Sequence, residues 1–247
     1  YSRTPIGCFN GVFKTVPAPE LGATAIKSVL DKSNFDKDQI DEVIMGNVLS
    51  AGIGQAPARQ ASIYAGLPYS TQCMTINKVC GSGLKSIMLA DQSITQGNAN
   101  IIIAGGMENM SLAPHYLLHS RKGLNFGDGK LKDAILNDGL WDPYNNMAMG
   151  GCAEVLNKEE NISREDQDTF AIQSYEKSNI AIENGYFKNE IVPVEVKSRK
   201  GSIIIDTDEE PLRFDKEKIL KLKPVFNKEG SITAANASSI NDGAAVV

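Results

Sequence analysis

The chain has 247 residues, 42% of them hydrophobic and 22% charged, an ordinary globular composition with room for one large or two modest domains. A net charge of −5 leaves no overall nucleic-acid footprint, and no apolar run approaches the ~18 residues that span a membrane. Four cysteines without a C-x-x-C pair, and only two histidines, argue against a structural zinc site; a reducing compartment is expected rather than a disulfide framework.

Residues 1–5 (YSRTP) carry neither an initiator methionine nor a targeting signal, and residues 3–11 (RTPIGCFNG) read as loop. Leu21, Ala25, Ile26, Val29 and Leu30 form a helical stripe over residues 18–30. Residues 41–49 (DEVIMGNVL) predict a buried strand, and residues 56–65 a short helix stopped by Gly66 and Pro68. Residues 75–96 then read as strand, tight turn and helix, with Cys80-Gly81-Ser82-Gly83 at the turn and Leu84, Ile87, Met88 and Ile94 in a helical pattern behind it.

A cysteine at that place sits where unpaired N–H groups and the helix dipole favour an anion. Helix N-termini can bring a thiol from ~8.5 into the range ~3.5–7.5. The arrangement has the logic of a nucleophile elbow with sulfur in place of oxygen. The alternative is a small buried hydrophobe, the commoner fate of a cysteine outside a disulfide.

Residues 100–104 (NIIIA) predict an apolar strand that ends at Gly105-Gly106. Helices alternating with apolar strands give an α/β layer with a largely buried sheet, whose ligands belong at the carboxyl ends of strands; Cys80 and Gly105-Gly106 are both expected there. Residues 111–151 look irregular, which suggests a functional segment. Ser163 and Asp166 open a helix with Ala171, Tyr175, Ser178 and Ile182 on one face, ended by Gly185. Residues 191–196 and 202–206 predict two strands joined by a basic turn over 197–201. This middle region reads as an inserted subdomain.

Two clusters could bind. Arg213, Lys216, Lys218, Lys221 and Lys223 suit either a phosphorylated ligand or a solvated face. Residues 232–243 (ITAANASSINDG) suit either a close backbone approach to a ligand or a tight turn. His115 and His119 show no special spacing, so partly buried structural roles are expected for both, and any base serving Cys80 is expected outside this chain. The chain stops within an apolar run at residues 244–247, so a piece of a longer polypeptide is expected.

RTPIGCFNG, GQAPARQA (54–61), NKVCGSGL around Cys80, AGGMENMSLAPH (104–115) and ITAANASSINDGAA follow one another at intervals that together resemble the thiolase family, in its acetyl-CoA acetyltransferase branch. The resemblance covers essentially the whole chain. It implies an enzyme that condenses two acetyl-CoA to acetoacetyl-CoA, or runs the thiolytic reverse, through an acyl group on Cys80. It implies a thiolase-like layered αβα half of a five-layer αβαβα sandwich, with an inserted α+β loop subdomain. The core half would comprise residues 1–113 and 235–247, the loop domain residues 114–234, and the family's C-terminal half, with its second cysteine and activating histidine, would be absent. By the same resemblance Leu140, Tyr175, Arg213, Phe214, Asp215, Lys218, Phe226, Ala234 and Ser238 would contact coenzyme A, a substrate and product rather than a prosthetic group. Tyr175 and the backbone at Ala234, Ala235 and Ala237 would meet a potassium ion. Where many members have a histidine by the substrate, this chain has Ala148.

The family further implies a homodimer or homotetramer, cytoplasmic or mitochondrial, without nucleic-acid or membrane partners. A related condensing enzyme (a ketoacyl or hydroxymethylglutaryl-CoA synthase), a non-catalytic coenzyme A or acyl-binding module, and a redox-sensing thiol protein at Cys80 are the alternatives.

Overall fold

The structure is a computed structural model that describes every residue except Asn125 and Lys200. In chain order the strands and α-helices are β1 (Ser2–Arg3), β2 (Gly7–Cys8), α1 (Ala18–Ser33), β3 (Glu42–Gly46), α2 (Pro57–Tyr64), β4 (Gln72–Ile76), α3 (Ser82–Thr95), β5 (Ile102–Asn109), β6 (His115–Leu117), β7 (Leu131–Asp133), β8 (Trp141–Asp142), β9 (Met147–Ala148), α4 (Met149–Glu159), α5 (Arg164–Glu183), β10 (Val194–Ser198), β11 (Gly201–Ile205), α6 (Lys216–Ile219) and β12 (Asn241–Val246). They form two compact units. The first is Tyr1–Pro114, Phe187–Glu209 and Asn241–Val247; the second is His115–Tyr186 and Glu210–Ile240. No helix among the described residues is long and apolar enough to cross a membrane.

The first unit is built on a six-stranded sheet in the order β1-β12-β5-β3-β4, with β2 also paired to β12. β3 runs parallel to β4 and β5, while β12 lies antiparallel to β5 and β1. Side chains alternate across a strand, so β3 feeds two cores. Val43 and Met45 join Leu21, Ile26 and Leu30 of α1 and Ala58 and Ala61 of α2 in the larger one. Ile44 faces the other way, with Ala104 of β5 and Ala90 of α3, in a much smaller one. The result is an αβα sandwich with α1 and α2 on one face and α3 on the other. The outer side of α3 stays apolar and open, with Leu84 67% and Met88 49% exposed. A groove of about 410 Å³ on the same face is lined by Arg3, Ile87, Gly105, Val246 and others.

Two expectations need correction. The strand expected to end at Gly105-Gly106 runs on to Asn109, because Gly105 and Gly106 lie opposite Val246 and Ala245 of β12. The glycines are there for proximity, since a Cβ on Gly105 would run into the Ala245 carbonyl. The domain boundaries also move. The hairpin β10–β11, assigned by sequence to the insertion, belongs to the first unit, and residues 235–240 belong to the second. Alternation of apolar residues cannot show which core a hairpin joins. Val194 and Val196 enter the larger core of the first unit, and Arg3 ties the flanks of the hairpin to β1. Its guanidinium forks onto Asp208 (2.7 and 2.9 Å), donates from Nε to Glu190 (2.6 Å), and lies 5.1 Å from the Phe187 ring centroid. Lys200, within the basic turn, lies outside the described residues.

In the second unit the stretch expected to be irregular holds the short pairs β6–β7 and β8–β9 and the start of α4. These strands are too short to leave a periodic signal. The Ser163–Asp166 capping box is formed as expected and opens α5.

Arg3 and Asp208 are largely buried, with side chains 17% and 10% exposed, so removing one partner strands the other. Arg3→Met is expected to cost about 3 kcal/mol, the low end for breaking a buried pair. Urea unfolding measures it; a loss under about 1 kcal/mol, as for an exposed pair, would contradict this role.

Candidate active site

Cys80 lies on the connection from β4 to α3 and is exposed. Two overlapping turns present it. The Gly81 N–H donates to the Lys78 carbonyl (3.1 Å), closing a turn whose central residues are Val79 and Cys80. The Ser82 N–H donates to the Val79 carbonyl (3.0 Å), and that second turn leads directly into α3. Val79 has φ +46°, a left-handed conformation that is uncommon for a β-branched residue. Side chains brace the arm. Asn77 Oδ1 accepts from the Val79 N–H (2.8 Å), and the Ser82 hydroxyl accepts from the Lys78 N–H (2.8 Å) while donating to the Val79 carbonyl (2.6 Å).

The first turn of α3 is seated on glycines. A Cβ on Gly46 of β3 would lie 2.7 Å from the Ser82 carbonyl carbon and 2.8 Å from the Gly83 nitrogen. One on Gly106 of β5 would lie 3.3 Å from the Gly83 Cα. The Ser86 hydroxyl, fully buried, sits 2.6 Å from the Gly83 carbonyl and 2.7 Å from the Gly105 carbonyl, linking helix to strand. The backbone of the first turn of α3 thus lies directly against β3 and β5. Its first-turn N–H groups have no partners within the helix, and the helix dipole adds to them, so the arrangement offers positive partial charge beside an exposed thiol. It can stabilise an acyl-transfer oxyanion.

Below this turn the loop after β3 is held by Glu108 of β5. Its carboxyl accepts from the Val48 N–H (2.8 Å), the Leu49 N–H (3.3 Å) and the Asn47 side-chain amide (2.8 Å). Burial pushes the Glu108 carboxyl above the usual carboxylate range, although those donors act against the shift. Gly105 and Gly106, expected beside Cys80 at a strand end, are instead mid-strand, under α3.

The residues expected to meet coenzyme A all lie in the second unit. Tyr175 of α5 stacks on Phe214 (5.3 Å between centroids, 15° between planes) and donates its hydroxyl to Glu210 (2.8 Å). Arg213 ends a 3₁₀ turn, Asp215 caps α6 by accepting from the Lys218 N–H (3.0 Å), and Arg213, Asp215 and Lys218 are exposed. Leu140 accepts through its carbonyl from the Met149 N–H (2.8 Å), beside Ala148 at the start of α4. The Phe226 ring covers Gly150, where any Cβ would collide with it. Ala234 and Ser238 are exposed, and Ala235 and Ala237 half-buried, on a segment pinned from three sides. Glu154 accepts from the Ser231 and Ile232 N–H groups (both 2.9 Å); Asn236 accepts from the Thr233 N–H (2.7 Å) and donates to Asp168 (2.9 Å); Asp168 in turn accepts from Arg164 (2.7 Å). No local pattern marks Glu154, whose donors lie 77 and 78 residues away, or the 68-residue reach from Asp168 to Asn236. His115 and His119, expected to be partly buried, are instead exposed in the second unit, at the start of β6 and just after its end. No group of three or more His, Cys, Asp or Glu among the described residues could hold a metal ion.

Comparison with known proteins bears on both units. The thiolase N-terminal domain family matches residues 1–247. An acetyl-CoA acetyltransferase of Yarrowia lipolytica is 55% identical over all of this chain and 61% of its own length, and one of Pseudomonas aeruginosa is 52% identical over all of this chain and 63% of its own. A thiolase from Ascaris suum, solved in complex with coenzyme A, superposes with a TM-score of 0.92 at 43% identity, covering 99% of this chain and 63% of that one. The chain therefore spans a little over 60% of the length of the relatives it matches.

The pinned segment makes a pH prediction. Burial pushes the Glu154 carboxyl up, but the Ile232 and Ser231 N–H groups and the Ser231 hydroxyl outweigh it and hold the group below the usual Glu range. A lowered folded value means stability that is present above the unfolded value of ~4.3 and is lost as pH falls through the folded one. The Tm gap between wild type and Glu154→Gln is expected to be widest near neutrality and to narrow below about pH 4. A gap constant from about pH 7 to about pH 3 would contradict it.

Proposed function

The chain belongs to the thiolase family, and from that premise we propose that Cys80 is the nucleophile of an acyl transfer between coenzyme A thioesters. The observation that carries this is an exposed thiol on a braced turn against the first turn of α3. In the first step Sγ, as thiolate, attacks the carbonyl carbon of acetyl-CoA, the bond from that carbon to the coenzyme A sulfur breaks, and the leaving thiolate takes up a proton. In the second, a base removes a methyl proton from another acetyl-CoA, and the resulting carbanion attacks the acetyl-Cys80 carbonyl. Acetoacetyl-CoA leaves, Cys80 returns as thiolate, and thiolysis is the same path reversed. The Cys80 N–H is suited to share the charge on the developing oxyanion, where acyl transfer gains much of its rate.

Coenzyme A fits the chemistry of the second unit. Arg213 and Lys218 supply positive charge for its phosphates, Phe226 and the Tyr175–Phe214 stack offer apolar faces, and Leu140, Asp215, Ala234 and Ser238 complete the contacts. Tyr175 with the carbonyls of Ala234, Ala235 and Ala237 would hold a potassium ion. An all-oxygen donor set is what a hard cation takes; bound there, the ion would stiffen the segment that Glu154 and Asn236 already pin. With Ala148 in place of a histidine, one substrate contact is gone, and short linear acyl groups still fit. We also propose a homodimer or homotetramer, as the family implies; β4 leaves one edge of the main sheet unpaired, and an open edge can pair with another chain.

We propose that the base for the second proton transfer lies outside these residues. Both histidines belong to the second unit, and in the first unit Cys8 is buried. We therefore infer that residues 1–247 alone do not turn over. A steady-state assay of acetoacetyl-CoA and coenzyme A with mass-verified protein should show no multiple turnover, since losing both general acid–base steps removes ~10²–10⁴-fold each. Turnover that Cys80→Ala abolishes would place a base within these residues.

A further inference from the structure

The turn that presents Cys80 is one that its own sequence disfavours. φ is positive at Val79 and negative at Cys80, the pattern of a mirror-image turn whose first central residue is ordinarily glycine. A valine there crowds its branched Cβ against the backbone, and such a conformation persists only where the surroundings over-determine it. Both backbone polar groups of Val79 are fixed by side chains: its N–H by Asn77 Oδ1 at 2.8 Å, its carbonyl by Ser82 Oγ at 2.6 Å. The same Ser82 oxygen takes the Lys78 N–H at 2.8 Å, so one hydroxyl closes the arm on both sides of Val79. Ser82 is only 4% exposed and cannot swing away, because its backbone is wedged against Gly46. Val79 itself is 46% exposed, so no packing from the core holds it.

We propose that Ser82, assisted by Asn77, is the positioning residue of the nucleophile arm: its hydroxyl holds Val79 in the left-handed conformation and thereby keeps Cys80 turned outward at the head of α3. Neither side chain touches the reacting sulfur in this role. Without the hydroxyl, Val79 relaxes toward negative φ, the Val79–Cys80 turn opens, and the presented conformer becomes a minority. The proposal deepens the reading of Cys80 as nucleophile and rests on it for its functional meaning, but the conformational claim can be tested apart from it.

The test is a double-mutant cycle on the full chain, reading the second-order rate of Cys80 alkylation by iodoacetamide, mapped by peptide mass spectrometry, together with Tm. Ser82→Ala should slow Cys80 alkylation about tenfold. Glycine adopts φ +46° without a clamp, so Ser82→Ala introduced into a Val79→Gly background should cost about threefold or less. A buried hydroxyl that merely stabilises the fold would lower Tm equally in both backgrounds and leave the two rate ratios equal; that result overturns the proposal, as does an unchanged rate in Ser82→Ala. Should Ser82→Ala not fold, Asn77→Ala, at an exposed position, replaces it in the same cycle with the same criterion. Acetyl-CoA labelling of the wild type is run alongside. If Cys80 takes no acetyl group while the cycle shows coupling, the nucleophile reading fails and the clamp stands; labelling without coupling is the reverse.

Discussion

The constraint on which the first unit depends is the closeness of α3 to its sheet. Gly46 and Gly106 on the strands carry no Cβ where one would press on the first turn of α3 at Ser82 and Gly83. A helix seated that closely brings its first-turn amides down to the ends of β3 and β4, and the chain leaving β4 has only residues 77–81 in which to turn into it. The two overlapping turns follow from that short connection, and the side chains of Asn77 and Ser82 brace the strained Val79 within it. The apolar contribution on this face is small, since few buried residues lie between α3 and the sheet; backbone proximity and the Ser86 link do what side-chain packing does on the opposite face.

Much of this was legible in the sequence, for identifiable reasons. The run from Thr75 to Gln96 switches from an extended apolar stretch to a helical period across Cys80-Gly81-Ser82-Gly83, and such a switch marks a strand–turn–helix unit whatever its surroundings. The Ser163–Asp166 cap was legible because its partners are three residues apart. Features that depend on distant partners were not. Gly105-Gly106 reads locally as a strand end, and only β12, more than a hundred residues later, turns it into a mid-strand contact. Arg3 shows nothing of Glu190 and Asp208. The left-handed Val79 runs against local preference, so no propensity argument finds it, and local rules are most often broken where a site is strained.

The two units divide the chemistry. The first holds a thiol at a helix terminus; the second holds cations, stacked rings and a segment of small residues pinned by Glu154 and, through Asn236, by Asp168. Exposed charge such as Arg213 or Lys218 binds weakly by itself; what the second unit adds is backbone held still by Glu154, Asn236 and Asp168, so that a ligand meets a formed surface and loses less entropy on binding.

The central claim is that the sulfur of Cys80 accepts an acyl group from a coenzyme A thioester. The most direct measurement is intact-mass and peptide-mapped mass spectrometry of the chain after incubation with acetyl-CoA. One acetyl group per chain, on the peptide containing Cys80 and removed by added coenzyme A, is the predicted result. An unmodified Cys80, or acetylation spread over Cys73 and Cys152 at comparable rates, would contradict it.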